Sequence, residues 1–152
     1  MGDNAGMTEQ TCATPSSMRP RIALYSHDTM GLGHIRRNTL IAQTLIQPPL
    51  SAQVLLVSGN YTARALDMPL EQLVALRSQT ILAALTAFAP QLLIVDNVPR
   101  GALSELDTVL PTMRARGTHI VLGLRDIIDT PEAVARQWER QKNADILRRC
   151  FD

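Results

Sequence analysis

The chain has 152 residues, of which 45% are hydrophobic and 19% charged, and this composition suits one globular domain with a hydrophobic core. A formal net charge of +1 and an aromatic content of 3% argue against a nucleic-acid partner, which would need a basic surface or stacking rings. The two cysteines are widely separated, which argues against a disulfide framework and favours a cytoplasmic protein. The sequence lacks a run of about 18 apolar residues, which argues against a membrane span.

The N-terminal segment and the first strand differ sharply in composition. Residues 1–19 are mostly polar or small, without the basic start and apolar centre of a secretory signal, and we expect a disordered leader there. Residues 20–152 are expected to form one domain. Its first apolar run, Ile22–Ser26, predicts a β-strand, and His34–Gln47 predicts a helix that ends before two consecutive prolines.

The same alternation continues to the end of the chain. Three further short apolar runs predict strands at Val54–Val57, Leu92–Val95 and His119–Leu122. Helices are predicted over Leu70–Phe88, about Leu103–Arg116, and from Pro131 toward Arg149 with Thr130 as the N-cap. Short apolar runs separated by helices are typical of a parallel sheet covered on both faces. The predicted fold is therefore α/β, with a doubly wound, mostly parallel, Rossmann-like sheet.

A glycine-rich segment, Gly31-Leu-Gly33-His34, joins the first strand to the first helix. Glycines let backbone N–H groups approach a ligand closely, and a helix N-terminus favours an anion. The segment does not match the dinucleotide fingerprint, because Arg36 stands at the third glycine position and the second strand ends without an acidic residue. The Walker pattern is also missing. We therefore expect no NAD, FAD or other cofactor.

The first turn of this helix carries the main candidate residues. His34 lies at the mouth of the predicted site, and an imidazole with an ordinary pKa of about 6.5 suits general-base catalysis. A polar residue that only hydrogen-bonds the loop is the alternative. Arg36 and Arg37 lie where the helix dipole disfavours cations. They indicate either a neighbouring anion, such as Asp28 or a bound phosphate, or a solvated helix face.

Ligands of doubly wound sheets bind beyond the carboxyl ends of the strands, and this rule selects further candidates. Asp96 ends the third strand and is predicted either to orient His34 or a substrate, or to cap a helix. Arg100, in the same loop, is a candidate partner for an anionic group. Arg125 follows the fourth strand and is predicted either to contact a ligand or to pair with Asp126 at the surface. The sequence shows no cluster of His and Cys, so no metal site is expected.

The segment YSHDTMGLGHIRRNTLIAQTL, with VDNVPRGAL and VLGLRD downstream, resembles the N-terminal half of predicted bacterial glycosyltransferases of the MurG-like, family-28-type group. The resemblance covers most of residues 19–152 and implies the N-terminal domain of a GT-B fold, in which two Rossmann-like domains face each other across a cleft. It implies that this domain receives a sugar acceptor and needs no metal. Gly31, Gly33 and His34 would then face the cleft, with His34 as the base that deprotonates the acceptor hydroxyl.

In that family a C-terminal domain binds the nucleotide-sugar donor, and this sequence ends at Asp152. The resemblance therefore implies that the donor is bound by an absent C-terminal domain or by a partner chain, and that the chain alone is inactive. Two alternatives stay open. One is a non-catalytic α/β binding or interaction domain or a truncated remnant, and the other is a nucleotide-sugar epimerase or hydrolase of the same fold.

Overall fold

A computed structural model describes residues 19–27, 33–59, 68–124 and 130–152. Strands and helices alternate over these ranges until two helices end the chain. In order they are β1 Arg21–Ser26, α1 Gly33–Leu45, β2 Gln53–Ser58, α2 Leu70–Phe88, β3 Leu92–Asp96, α3 Val109–Ala115, β4 His119–Gly123, α4 Pro131–Arg140 and α5 Asn143–Cys150. All of the predicted leader except its last residue lies outside the described residues.

The four strands form one sheet in the order β2-β1-β3-β4, and every neighbouring pair is parallel. Leu24 of β1 lies opposite Leu56 of β2 on one side and Ile94 of β3 on the other. The chain moves outward from β1 to β2 and then crosses back over β1 to reach β3. The reversal of direction places the topological switch point between β1 and β3. The predicted α/β class is confirmed, and the parallel sheet flanked by helices is that of a Rossmann-like, doubly wound fold.

The hydrophobic core lies between one face of the sheet and helices α2, α3 and α5. Alternate residues of a strand point to opposite faces, so Ala23 and Tyr25 of β1 face this core together with Leu93 and Val95 of β3. The remaining buried members come from the other elements and from the segment before α3: Val57, Ile81, Leu85, Leu106, Val109, Leu110, Met113, Ile120, Ile146 and Cys150. Burial of each large aliphatic side chain contributes about 1.5–3 kcal/mol, which makes this layer the main source of stability.

The opposite face of the sheet is covered by α1, which packs on β1 and β2. Leu24 is fully buried on this face. Leu92 and Ile94 of β3 and Val121 of β4 are only half-buried there. Among the described residues, this face is therefore completely covered over β1 and partly covered over β3 and β4.

Two predicted helices differ from those observed. The helix expected from Leu103 begins at Val109, because Ser104 has a left-handed φ of 67° and the side chain of Glu105 turns into the core. The last predicted helix is divided into α4 and α5 by Lys142, whose φ is 53°. Its predicted N-cap is confirmed, since the side chain of Thr130 accepts a hydrogen bond from the third residue of the turn.

Within the described ranges, no helix is both long enough and apolar enough to cross a bilayer.

Candidate functional site

The candidate site lies at the carboxyl edge of the sheet, at the switch point between β1 and β3. Ser26 is the last residue of β1, and His27 follows it directly. Asp96 is the last residue of the adjacent strand β3. Helix α1 begins at Gly33, so His34 stands in its first turn above this edge. The strand order therefore brings together residues from three separate parts of the sequence.

A buried carboxylate organises the site. Asp96 is 2% exposed and accepts hydrogen bonds from His34 Nδ1 at 2.8 Å and from Asn38 Nδ2 at 3.2 Å. Its other oxygen, Oδ1, accepts from the guanidinium of Arg37. A buried charge is tolerated when it is paired and hydrogen-bonded, and these three donors meet that condition.

The three donors to Asp96 belong to one face of α1. His34, Arg37 and Asn38 are separated by three and four positions, and residues at this spacing lie on the same side of a helix. Asn38 is the buried residue of α1, since its amide points toward the sheet. The pattern is visible in the sequence, and it was the signal that could have joined Asn38 to the predicted site.

The hydrogen bond to Asp96 determines how His34 can act. An ionised carboxylate only accepts hydrogen bonds, so the proton of the neutral imidazole lies on Nδ1 and the lone pair on Nε2. The side chain of His34 is 18% exposed and thus within reach of a ligand from solvent. This arrangement can accept a proton at Nε2, while Asp96 stabilises the resulting imidazolium.

A second histidine lies beside the first. The ring centroids of His27 and His34 are 4.1 Å apart, with an angle of 56° between the ring planes. Each of His27, His34 and Asp96 offers one donor atom, and these three atoms all lie within 4.8 Å of one another. Over the described part of the chain, this is the group of His, Cys, Asp and Glu side chains that could hold a metal ion. No metal site was predicted from the sequence, because no cluster of His and Cys is visible there and the three residues come from separate segments.

The structure brings three of the predicted residues together, because His34 and Arg37 of α1 both contact Asp96. Gly33 is the first residue of α1 and is exposed. Arg36 is exposed on the same helix. Gly31 and Arg125, which were also predicted to bind substrate, lie outside the described residues.

Arg100 lies in a separate cluster. Its guanidinium forms an ion pair with Asp107 and donates from Nη1 to the carbonyl oxygen of Gln141 at 2.6 Å. The hydrogen bond to Asp107 raises the pKa of Arg100. An open pocket of about 230 Å³ beside it is lined by Arg100, Asp107, Lys142, Asp145, Ile146 and Arg149. These contacts tie the loop after β3 to the junction of α4 and α5, and the predicted contact of Arg100 with a substrate stays a prediction.

A buried hydrogen bond under the loops of the carboxyl edge was not predicted. Tyr25 Oη donates to Glu105 Oε1 at 2.6 Å, and Glu105 Oε2 accepts from the backbone N–H of Leu103 at 2.6 Å. Both side chains are at most 1% exposed. Burial, followed by the charge of Glu105, raises the pKa of Tyr25, which stays protonated as the donor. The partners are 80 positions apart, so no local pattern in the sequence connects them.

Comparisons of the chain with protein-family models, with curated proteins and with solved structures found no match.

Proposed function

We propose that this domain is the acceptor-binding half of a GT-B glycosyltransferase and that His34 is its general base. The observation that carries the proposal is the hydrogen bond from His34 Nδ1 to the buried carboxylate of Asp96, at 2.8 Å. A histidine in the first turn of a helix is common, but one oriented by a buried carboxylate at a switch point has the arrangement of a catalytic base.

The proposed reaction uses each group at the site in a defined way. A sugar or other hydroxyl acceptor attacks the anomeric carbon of a nucleotide sugar, and the glycosidic C–O bond forms as the bond to the nucleoside diphosphate breaks. His34 Nε2 takes the proton of the attacking hydroxyl, and the leaving diphosphate keeps the bonding electron pair. Asp96 stabilises the imidazolium, while Arg37 and Asn38 hold the carboxylate in place.

A buried hydroxyl supports the binding of a polar ligand at the same edge. Ser26 is fully buried, and its Oγ has no hydrogen-bond partner among the described residues. Tyr25 of β1 lies opposite Val95 of β3, and Ser26 and Asp96 are the next residues of these strands. Ser26 and Asp96 are therefore neighbours on adjacent strands. Buried hydroxyls in proteins are normally hydrogen-bonded, and an acceptor hydroxyl would supply the missing partner.

The proposal includes a nucleotide sugar as the donor of the transferred sugar. By the resemblance, a nucleotide sugar binds to a second Rossmann-like domain or to a partner chain that faces this edge of the sheet. A cytoplasmic setting is proposed as well, because Cys150 is a free buried thiol, as is usual for proteins of a reducing compartment.

The experiment measures nucleoside diphosphate release from a panel of nucleotide sugars, with and without a mixture of hydroxyl acceptors. It uses the chain alone and the chain fused to a Rossmann-like donor-binding domain. His34→Gln and Asp96→Asn are compared with His119→Gln, a matched control in an exposed histidine at the start of β4. Circular dichroism establishes that each variant is folded.

We expect acceptor-dependent turnover in the fusion, with kcat reduced about 100-fold or more by His34→Gln and by Asp96→Asn and unchanged by the control. Full activity of His34→Gln would contradict the assignment of the base. Turnover that needs no acceptor would instead identify a hydrolase or an epimerase. A folded fusion that binds acceptors without turnover would identify a non-catalytic binding domain.

A further inference from the structure

We infer that His27, His34 and Asp96 form a binding site for a divalent transition-metal ion, with Zn²⁺ as the best-matched ion. The inference goes beyond the proposed function and does not depend on it, because it rests on the donor atoms alone. Two imidazoles and one carboxylate are a ligand set that zinc uses in proteins, and three protein ligands leave a fourth position for a small ligand.

The positions of the three side chains are set by the sheet. His27 directly follows β1, Asp96 ends the neighbouring strand β3, and His34 lies in the first turn of the helix above them. Their donor atoms lie within 4.8 Å of one another. Tetrahedral zinc with bonds of about 2.0 Å separates its ligands by about 3.3 Å. We expect rotation of the side chains to close this difference when an ion binds and replaces the hydrogen bond between His34 and Asp96.

The surroundings of Asp96 match those of a metal-binding carboxylate. Arg37 holds Oδ1, so that Oδ2 is the oxygen directed at His34. Asn38 donates to Oδ2 from the side of the helix. Metal-binding carboxylates are typically oriented by such hydrogen bonds from outside the ligand set. The side chain of Arg37 is 38% exposed, so solvent screens part of its repulsion of a cation.

Burial and neighbouring polarity also favour an ion at this place. His27 and Asp96 are buried, at 8% and 2% exposure, so both donors are largely shielded from competing bulk water. The buried Oγ of Ser26, which has no hydrogen-bond partner in the described ranges, lies next to Asp96 on the adjacent strand. It can accept a hydrogen bond from a ligand in the fourth position of the ion.

Metal binding and proton abstraction by His34 exclude one another. When a neutral imidazole binds an ion, one of its nitrogens donates its lone pair to the ion and the other carries the proton. Neither nitrogen can then accept a proton. If the proposed function also holds, Zn²⁺ therefore inhibits transfer, and a chelator restores it.

The test titrates the full chain with Zn²⁺ by isothermal calorimetry and with Co²⁺ by absorption spectroscopy. His27→Ala, His34→Ala and Asp96→Asn remove the ligands one at a time, and Asn38→Ala removes an orienting hydrogen bond. His119→Ala is the matched control, because it changes the remaining histidine of the sequence. Cys12→Ser controls for binding through a thiol, which a charge-transfer band of Co²⁺ would also reveal. Circular dichroism confirms the fold of each variant.

We expect one ion per chain, bound with a Co²⁺ spectrum that lacks thiolate bands. Removing a ligand weakens binding more than about 100-fold, Asn38→Ala weakens it about 10–100-fold, and the two controls leave it unchanged. Binding that survives in His27→Ala and His34→Ala would overturn the inference, and so would a folded wild-type chain that binds neither ion. Zinc binding without any glycosyl transfer would keep this site and reject the transferase. Transfer without zinc binding would do the opposite.

Discussion

Gly59, in the turn after β2, is predicted to be intolerant of any side chain. A Cβ at this position would lie 2.3 Å from Tyr25 Oη and 3.1 Å from Glu105 Oε1. Tyr25 cannot turn away, because its ring is 1% exposed and its hydroxyl donates to the fully buried carboxylate of Glu105. Gly59→Ala must therefore either displace the turn or break the buried hydrogen bond.

The magnitude follows from these two costs. Overpacking a close-packed interior costs about 1–3 kcal/mol, and a buried hydrogen bond that is lost adds about 1–3 kcal/mol. The lower backbone entropy of alanine in the unfolded chain offsets about 0.4–1 kcal/mol. We expect Gly59→Ala to lower the free energy of unfolding by about 2–4 kcal/mol.

Urea unfolding followed by circular dichroism measures this difference, and a double-mutant cycle with Tyr25→Phe tests its cause. Removing Oη removes the atom nearest to the new methyl group, so Gly59→Ala should cost at least about 1 kcal/mol less in the Tyr25→Phe background. Gly123→Ala is the matched control, because the nearest atoms to its Cβ lie 3.7 and 3.8 Å away. Wild-type stability of Gly59→Ala, or an equal cost in both backgrounds, would refute the reasoning.

Three further predictions concern groups outside the candidate site. Burial raises the pKa of Tyr25, so the stability that depends on its protonation is present below pH 10.0 and is lost as the pH rises above it. Absorbance at 295 nm should show the ionisation of Tyr25 only together with unfolding. Tyr25→Phe should remove this part of the absorbance change. The hydrogen bond from Arg114 lowers the pKa of Asp152, so the stability that this carboxylate contributes is present above about pH 3.8 and is lost as the pH falls through the lowered value; thermal melts from pH 5 to pH 2.5 should show a flatter acid limb for Asp152→Asn. Arg100→Ala should lower the free energy of unfolding by about 1–2 kcal/mol, because it breaks the contacts with Asp107. Its affinity for Zn²⁺ should equal that of the wild-type chain. A loss of zinc affinity in this variant would show that the Arg100 cluster and the candidate site are coupled.

Part of the candidate site could be predicted from the sequence because its signals are local. His34 follows a glycine-rich loop at a helix start, and Asp96 ends an apolar run, so each was placed at the carboxyl edge of a parallel sheet. Arg37 was singled out by its conflict with the helix dipole, and Asp96 turned out to be the anion that explains it. From the sequence, Asp28 and a bound phosphate were the candidates for this anion, with a solvated helix face as the alternative, and Asp96 was linked to His34 rather than to Arg37.

Other contacts at and near the carboxyl edge of the sheet were seen only in the structure. Arg100 was predicted to meet an anionic group, and the described structure pairs it with Asp107; its contact with a substrate stays a prediction. His27 was not among the predicted site residues, and the structure places its ring beside that of His34. Helix α3 was predicted too long, because the turn at Ser104 serves to direct Glu105 into the core.

The sequence by itself determined the class of the fold and the edge of the sheet at which the candidate residues lie. Both follow from the alternation of short apolar runs with helices, which is a property of neighbouring residues. Beyond the predicted link between Asp96 and His34, the tertiary structure decided which side chains meet there. The strand order β2-β1-β3-β4 sets β1 beside β3, and only this pairing places Asp96 against His34 and His27. Contacts between residues 62 or 80 positions apart depend on that order, because they form only when the strands have found their partners.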